Sequence, residues 1–333
     1  MSPKSFANGI HVPLITPFNE DESINYDALG KQVVRLVKAG VGIVLLGTNG
    51  EASHLSSAER VKVVQVARKA LVDAGLGDEP LLVGTGGGSA ATTIEIAKEA
   101  KAAGATHSIV ICPGYFAFAM ARDRAAVLGF FKKVMDSSPL PVMIYNFPGA
   151  ASGIDLTSDE LIELAEHPNC FGAKLTCAMI GKGQRLANHV KSSEFLAKHE
   201  QRLQSVSISG EFQVLPGFSE SLLPALLGGH TGCITGTGNV FPKTIQKLYK
   251  ASIAGLAGDA KALQEAMELQ KRITRSDWII VKVGIQGTKY ALDTFVEKGL
   301  GGTVRSPLGP ITDATKKIVD EQLKEDWEFE SKL

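Results

Sequence analysis

Eight short apolar runs, each followed by enough chain for one helix, constrain this sequence more than any other feature. They are Val12–Ile15, Ile43–Leu46, Leu81–Val83, Ser108–Cys112, Val142–Tyr145, Phe171–Leu175, Phe212–Leu215 and Gly232–Thr235. The runs are too short and too continuously apolar for strands with one wet face, so they read as parallel strands buried on both faces. Helix signals fill the intervals. Ser56-x-x-Glu59 and Thr157-x-x-Glu160 are capping-box patterns, and Val127, Phe131, Val134 and Met135 follow the spacing of a helix that covers a sheet. A doubly wound sheet also alternates strand and helix. Eight fairly evenly spaced strands without a dinucleotide fingerprint favour closure into a (β/α)8 TIM barrel.

The alternation stops near Pro242. The expected organisation is a catalytic barrel over residues 1–241 and a C-terminal helical extension over 242–333. In the extension Ile245, Leu248, Ser252 and Leu256 form one stripe, and Gly255–Asp259 marks a break. Further helices are expected over about 260–275, 279–298 and, after Pro307 and Pro310, 313–326.

Composition narrows the function classes. Thirty-five Lys and Arg balance 35 Asp and Glu among 333 residues, so no global field draws in a polyanion and a nucleic-acid partner is not expected. Cys112, Cys170, Cys177 and Cys233 are far apart and lack metal-ligand spacing, which suits a reducing compartment. No run approaches the roughly 18 apolar residues of a membrane span, and MSPKSFANGI lacks the core of an export signal. The chain ends in Ser331-Lys332-Leu333, a peroxisomal address when free; otherwise a cytoplasmic protein is expected. The seven histidines are scattered, with no H-E-x-x-H or H-x-H, so no metal site is expected.

In such a barrel the chemistry lies at the C-terminal strand ends. The polar residues there are Thr16, Thr48-Asn49-Gly50-Glu51, Tyr115, Tyr145, Lys174 and Thr235. Lys174 lies inside an apolar strand, where its head group must be desolvated. Desolvation favours the neutral amine, the species that attacks a carbonyl to form an imine. The alternative is a lysine that reaches the rim or pairs with a carboxylate. Tyr145, one strand earlier, can relay a proton with Thr48 and Tyr115 as partners, or can be packing alone. Gly84-Thr-Gly-Gly-Gly-Ser89 places Ser89 where a dinucleotide fingerprint needs its third glycine, and no Walker lysine follows, so a tight turn explains it.

Gly47-Thr-Asn-Gly-Glu51, Tyr145-Asn-Phe-Pro148 and Gly172-Ala-Lys174, spaced along an eightfold βα chain, resemble the dihydrodipicolinate synthase and N-acetylneuraminate lyase family. The resemblance runs from Pro13-Leu-Ile-Thr-Pro-Phe18 into the helical extension. It implies a class I aldolase that uses or releases pyruvate, with Lys174 forming the imine and no separate cofactor. Tyr145 would transfer the proton, helped by Thr48 and by Tyr115 reaching across a subunit interface of a homotetramer. Thr48 and Asn49 would hold the carboxylate of a small 2-oxo acid, and Thr176, Gly217 and Ile234 would line the pocket.

The synthase branch usually reads Thr-Thr-Gly-Glu and carries an arginine soon after the tyrosine strand. Here Asn49 stands in that motif, and Gly149-Ala-Ala-Ser-Gly153 offers no guanidinium to clamp a second carboxylate. The pattern looks more like aldolases of 4-hydroxy-2-oxoglutarate and 2-keto-3-deoxy sugar acids. The expected reaction is cleavage of a 4-hydroxy-2-oxo acid to pyruvate and an aldehyde. Dihydrodipicolinate synthesis is one alternative, and a non-catalytic pyruvate-binding oligomer is another.

Overall fold

The computed structural model describes residues 5–333; Met1–Lys4, on which part of the export-signal expectation falls, lie outside the described residues. In chain order the elements are β1 (Gly9–Pro13), α1 (Tyr26–Lys38), β2 (Gly42–Leu45), α2 (Ser57–Asp73), β3 (Leu81–Gly84), α3 (Ala90–Ala103), β4 (His107–Ile111), α4 (Ala117–Met120), α5 (Arg124–Ser137), β5 (Val142–Asn146), α6 (Ser158–Ala165), β6 (Cys170–Leu175), α7 (Ile180–Val190), α8 (Ser193–Val206), β7 (Gln213–Pro216), α9 (Leu222–Leu227) and β8 (Gly232–Ile234). Among the described residues four α-helices follow: α10 (Pro242–Leu256), α11 (Ala260–Ala291), α12 (Asp313–Gln322) and α13 (Lys324–Glu330). The strands form one sheet in the order β7-β6-β5-β4-β3-β2-β1-β8, and the βα alternation makes this a (β/α)8 TIM-barrel fold with a C-terminal helical part. The strands are almost wholly buried, as continuous apolar runs covered on both faces require.

By internal packing the chain divides into two compact units. The first comprises the described residues up to Asn8 with 78–217 and 224–233. Its core includes Val127, Phe131, Val134 and Met135 of α5, Val142 and Ile144 of β5, and Ala173 and Leu175 of β6. The α6 capping box forms: Glu160 N donates to Thr157 Oγ1 at 3.2 Å, and Thr157 N donates to Glu160 Oε2 at 2.8 Å. Two of the helix's orphan amide donors are thereby satisfied.

The second unit comprises 9–77, 218–223 and 234–333, so the first two strands and the helical extension share one unit. The Ser56 and Glu59 capping box opens α2. On α10, Ile245, Leu248 and Ser252 are buried, whereas Leu256, its last residue, is exposed. The expected interruption between residues 275 and 279 is absent. α11 runs through Ser276 and Asp277 because both polar side chains are buried with partners: Ser276 Oγ donates to Asp326 Oδ2 at 2.7 Å, and Asp277 Oδ2 accepts from Glu220 N at 2.8 Å. The departure from helical geometry comes at Gly284, whose φ of 68° suits glycine. The expected final helix is two, α12 and α13. α13 brings Glu330 to the N-terminus of α10, where its carboxylate accepts from Lys243 N at 2.9 Å, Thr244 N at 2.7 Å and Thr244 Oγ1 at 2.6 Å. A carboxylate there satisfies orphan donors and faces the positive end of the helix dipole.

Candidate active site

In the first unit the site is built at the ends of β5 and β6. Parallel pairing sets Tyr145 opposite Lys174, with Ile111 of β4 opposite Tyr145 and Leu215 of β7 opposite Lys174. Lys174 is 6% exposed, so it does not snorkel. Among the described residues no carboxylate forms an ion pair with it; its Nζ lies 4.3 Å from the centroid of the Tyr145 ring. Tyr145 is also buried and stacks on Phe147 at 5.9 Å between ring centroids. A buried amine beside a phenol joins a nucleophile for carbonyl carbon to a group able to move a proton.

One residue past β6, Thr176 is buried, and its Oγ1 has no hydrogen-bond partner. Gly217 lies against it: a Cβ there would stand 2.1 Å from Thr176 Oγ1 and 2.7 Å from Thr176 Cβ. The two expected pocket residues are therefore mutually packed, and glycine is the residue that fits. Asn146, the end of β5, fixes the following loop by accepting from Leu156 N at 3.0 Å and donating to Asp155 at 2.7 Å. Asp155 also pairs with the buried Lys182 of α7 at 2.5 Å. The nearby guanidinium of Arg124 is committed to Glu160, at 2.6 Å, and to the Asp155 carbonyl at 3.0 Å.

Tyr115 is placed differently from the other candidates in this unit. It is 84% exposed and makes an edge contact with Phe116, ring centroids 5.0 Å apart, in an aromatic patch that includes Phe118.

In the second unit the Gly47–Glu51 segment is a tight turn after β2. Glu51 N donates to Thr48 O at 3.0 Å, and Thr16 Oγ1 donates to Gly50 O at 2.7 Å. Thr48 is exposed, and Asn49 is half-buried against Gly236, where a Cβ would stand 2.5 Å from Asn49 Nδ2. Ile234 and Thr235 are buried at the end of β8. Thr235 faces Ser219 Oγ at 3.1 Å and donates to Asp277 Oδ1 at 3.4 Å, and Thr237 also donates to Asp277. Burial raises the Asp277 carboxyl above the usual aspartate range.

Two charged groups here escaped the sequence reading. Asp277 lies between Ile273 and Ile280 on the buried stripe of α11, a spacing that was legible. Lys289, also on α11, is 1% exposed and pairs with Glu51 at 2.6 Å; nothing local marks it. Among the described residues no three His, Cys, Asp or Glu side chains group to hold a metal ion, and no helix is long and apolar enough to cross a membrane.

Residues 6–326 match the sequence profile of the Dihydrodipicolinate synthetase family. The chain is 35% identical to the L-threo-3-deoxy-hexylosonate aldolase of Aspergillus niger, over 98% of this chain and 96% of that protein. Among solved structures it resembles a dihydrodipicolinate synthase family protein from Coccidioides immitis, at 33% identity and TM-score 0.82 over the whole of both chains. It also resembles YagE, a prophage protein of the dihydrodipicolinic acid synthase family from E. coli K12 in complex with pyruvate, at 27% identity and TM-score 0.80 over 96% of this chain and 98% of that one.

Proposed function

From the premise that this chain belongs to the dihydrodipicolinate synthetase family, we propose that it is a class I, pyruvate-releasing aldolase, a carbon–carbon lyase acting on a 4-hydroxy-2-oxo acid. A 2-keto-3-deoxy sugar acid is the substrate class favoured by the aldolase relative, and 4-hydroxy-2-oxoglutarate belongs to the same chemical class. The observation that carries the reading is Lys174, buried, without a carboxylate partner, and 4.3 Å from the Tyr145 ring.

The Lys174 amine attacks the C2 carbonyl, and loss of water leaves a protonated imine. Tyr145 gives its phenolic proton to that departing water and, as the phenolate, takes the proton of the C4 hydroxyl. The C3–C4 bond then breaks, its electron pair moves into the imine to give an enamine, and the aldehyde departs. Protonation at C3 and hydrolysis return the amine and release pyruvate. The imine serves as the electron sink, so the reaction is proposed to need no separate cofactor. Thr48 and Asn49 are assigned to the substrate carboxylate, a small anion suited to hydroxyl, amide and backbone donors. Thr176, Gly217 and Ile234 are assigned to the pocket lining.

Borohydride reduction in the presence of pyruvate, followed by peptide mass spectrometry, tests this. A reduced pyruvyl adduct on Lys174 is expected. Folded protein that yields none across neutral to alkaline pH overturns the reading. Two further assignments belong to the same proposal. A homotetramer in which Tyr115 meets a neighbouring subunit is supported by the exposed aromatic patch and is checked by analytical ultracentrifugation of Tyr115→Ala. Peroxisomal import through Ser331-Lys332-Leu333 is supported by the exposure of that tripeptide and fails if an N-terminally tagged protein stays diffuse in the cytosol.

A further inference from the structure

The Gly47–Glu51 turn is tethered by a charge that the aldol chemistry does not use. Glu51 closes the turn with a left-handed backbone, φ 51°, and its carboxylate is wholly buried. Oε1 accepts from Lys289 Nζ at 2.6 Å; Oε2 accepts from Arg305 N at 3.1 Å and faces His54 Nδ1 at 3.1 Å. Lys289 also donates to the Thr303 carbonyl at 2.5 Å, and its Nζ lies 4.3 Å from the centroid of the Phe18 ring. A Cβ on Gly301 would stand 1.9 Å from the Lys289 carbonyl oxygen, so the backbone too is packed to its limit here.

A buried ion pair is weak evidence for stability, because the desolvation of two charges offsets much of their attraction. What this pair does specifically is hold one conformation of Glu51, the residue that ends the Thr48-Asn49-Gly50 segment. A left-handed, non-glycine residue keeps that backbone only when its surroundings over-determine it.

We propose that Lys289 is a positioning residue: acting through Glu51, it holds the Thr48 and Asn49 donors in the arrangement that binds the substrate carboxylate. This rests on the imine reading of Lys174 and on the assignment of Thr48 and Asn49 above. The charged and titratable groups facing the pair are Glu51 and His54 from the turn, Asp293 one turn beyond Lys289, and Arg305, whose guanidinium is bound by Glu59 of α2. Burial brings the Lys289 ammonium down to about 8, so the tether weakens as pH rises past that value.

The test is borohydride trapping as a function of pyruvate concentration, in wild type and Lys289→Met, at pH 7 and pH 9. At saturation the Lys174 adduct is expected in both proteins. At pH 7 the half-saturating pyruvate concentration is expected to be about tenfold higher in the variant, and the ratio between the two should shrink at pH 9. Equal half-saturation at both pH values overturns the proposal. Absence of an adduct in wild type at every concentration overturns the Lys174 reading instead. Lys289→Met leaves Glu51 without its counter-charge and threatens folding, so the Glu51→Gln/Lys289→Met double variant, which carries neither charge, completes the test. Recovered thermal stability with half-saturation still raised supports positioning. Recovery of both means that Lys289 serves the fold alone, and the proposal is lost.

Discussion

Lys174 and Tyr145 are lateral neighbours on adjacent parallel strands, and the lysine nitrogen lies 4.3 Å from the centre of the phenol ring. Their relationship is fixed by strand register and not by a loop, so each can be altered without displacing the other. Lys174→Ala should abolish the pyruvyl adduct and turnover together. Tyr145→Phe should still form the adduct but cleave substrate about 100- to 10,000-fold more slowly, the usual range for a lost proton-transfer group. Trapping and single-turnover cleavage read the two steps separately; near-wild-type cleavage in Tyr145→Phe would remove the tyrosine from the chemistry.

Gly217 admits no side chain. With the hypothetical Cβ 2.1 Å from Thr176 Oγ1, Gly217→Ala must push Thr176 aside, at a cost of about 1–3 kcal/mol for overpacking. The expected result is a lower urea midpoint together with a raised KM. A variant that loses neither would show that the Thr176 segment relaxes freely.

Acid sensitivity should arise from two buried histidines of the first unit. His107 and His230 are each pushed down to about 4 from 6.5, chiefly by burial. Both stay neutral in the folded chain while the unfolded chain takes up protons, so their contribution is complete above pH 6.5 and is lost as pH falls toward 4. Urea midpoints at intervals from pH 7 to 4 should fall, and less steeply in His107→Asn/His230→Asn. An identical slope in the two proteins would place the acid sensitivity elsewhere.

Substrate choice should follow the missing clamp. The loop after β5 is Gly149-Ala-Ala-Ser-Gly153, and Arg124 is occupied by Glu160. Pyruvate with aspartate semialdehyde should give no product under conditions in which a 2-keto-3-deoxy sugar acid is cleaved, as a coupled lactate dehydrogenase assay would report. Robust condensation with the semialdehyde would favour the synthase alternative.

The strand pattern and both capping boxes were legible because each is written in consecutive or closely spaced residues: Val142–Tyr145 announces β5, and Thr157 with Glu160 announces α6. Lys174 stood out for a related reason, as a charge inside an apolar run. The Lys289–Glu51 pair was not legible, since its members are 238 residues apart and only the folded chain brings them together. The break expected between residues 275 and 279 does not form, because Ser276 and Asp277 are buried against partners distant in sequence, Asp326 and Glu220. The true irregularity, Gly284, looked no different from any other glycine.

Asp277, Lys289 and Glu330 all belong to the helices that follow β8, and each terminates on an element of the same unit that comes earlier in the chain. In genetic terms, this gene has no harmless late stop codon among those helices. A nonsense codon at Glu325 would uncap α10 and take Asp326 from Arg272 and Arg275; one ahead of Lys289 would also strand the Glu51 carboxylate in an apolar interior. Alleles truncated in this region should behave as nulls through loss of protein, even where every codon for Lys174, Tyr145, Thr48 and Asn49 is intact.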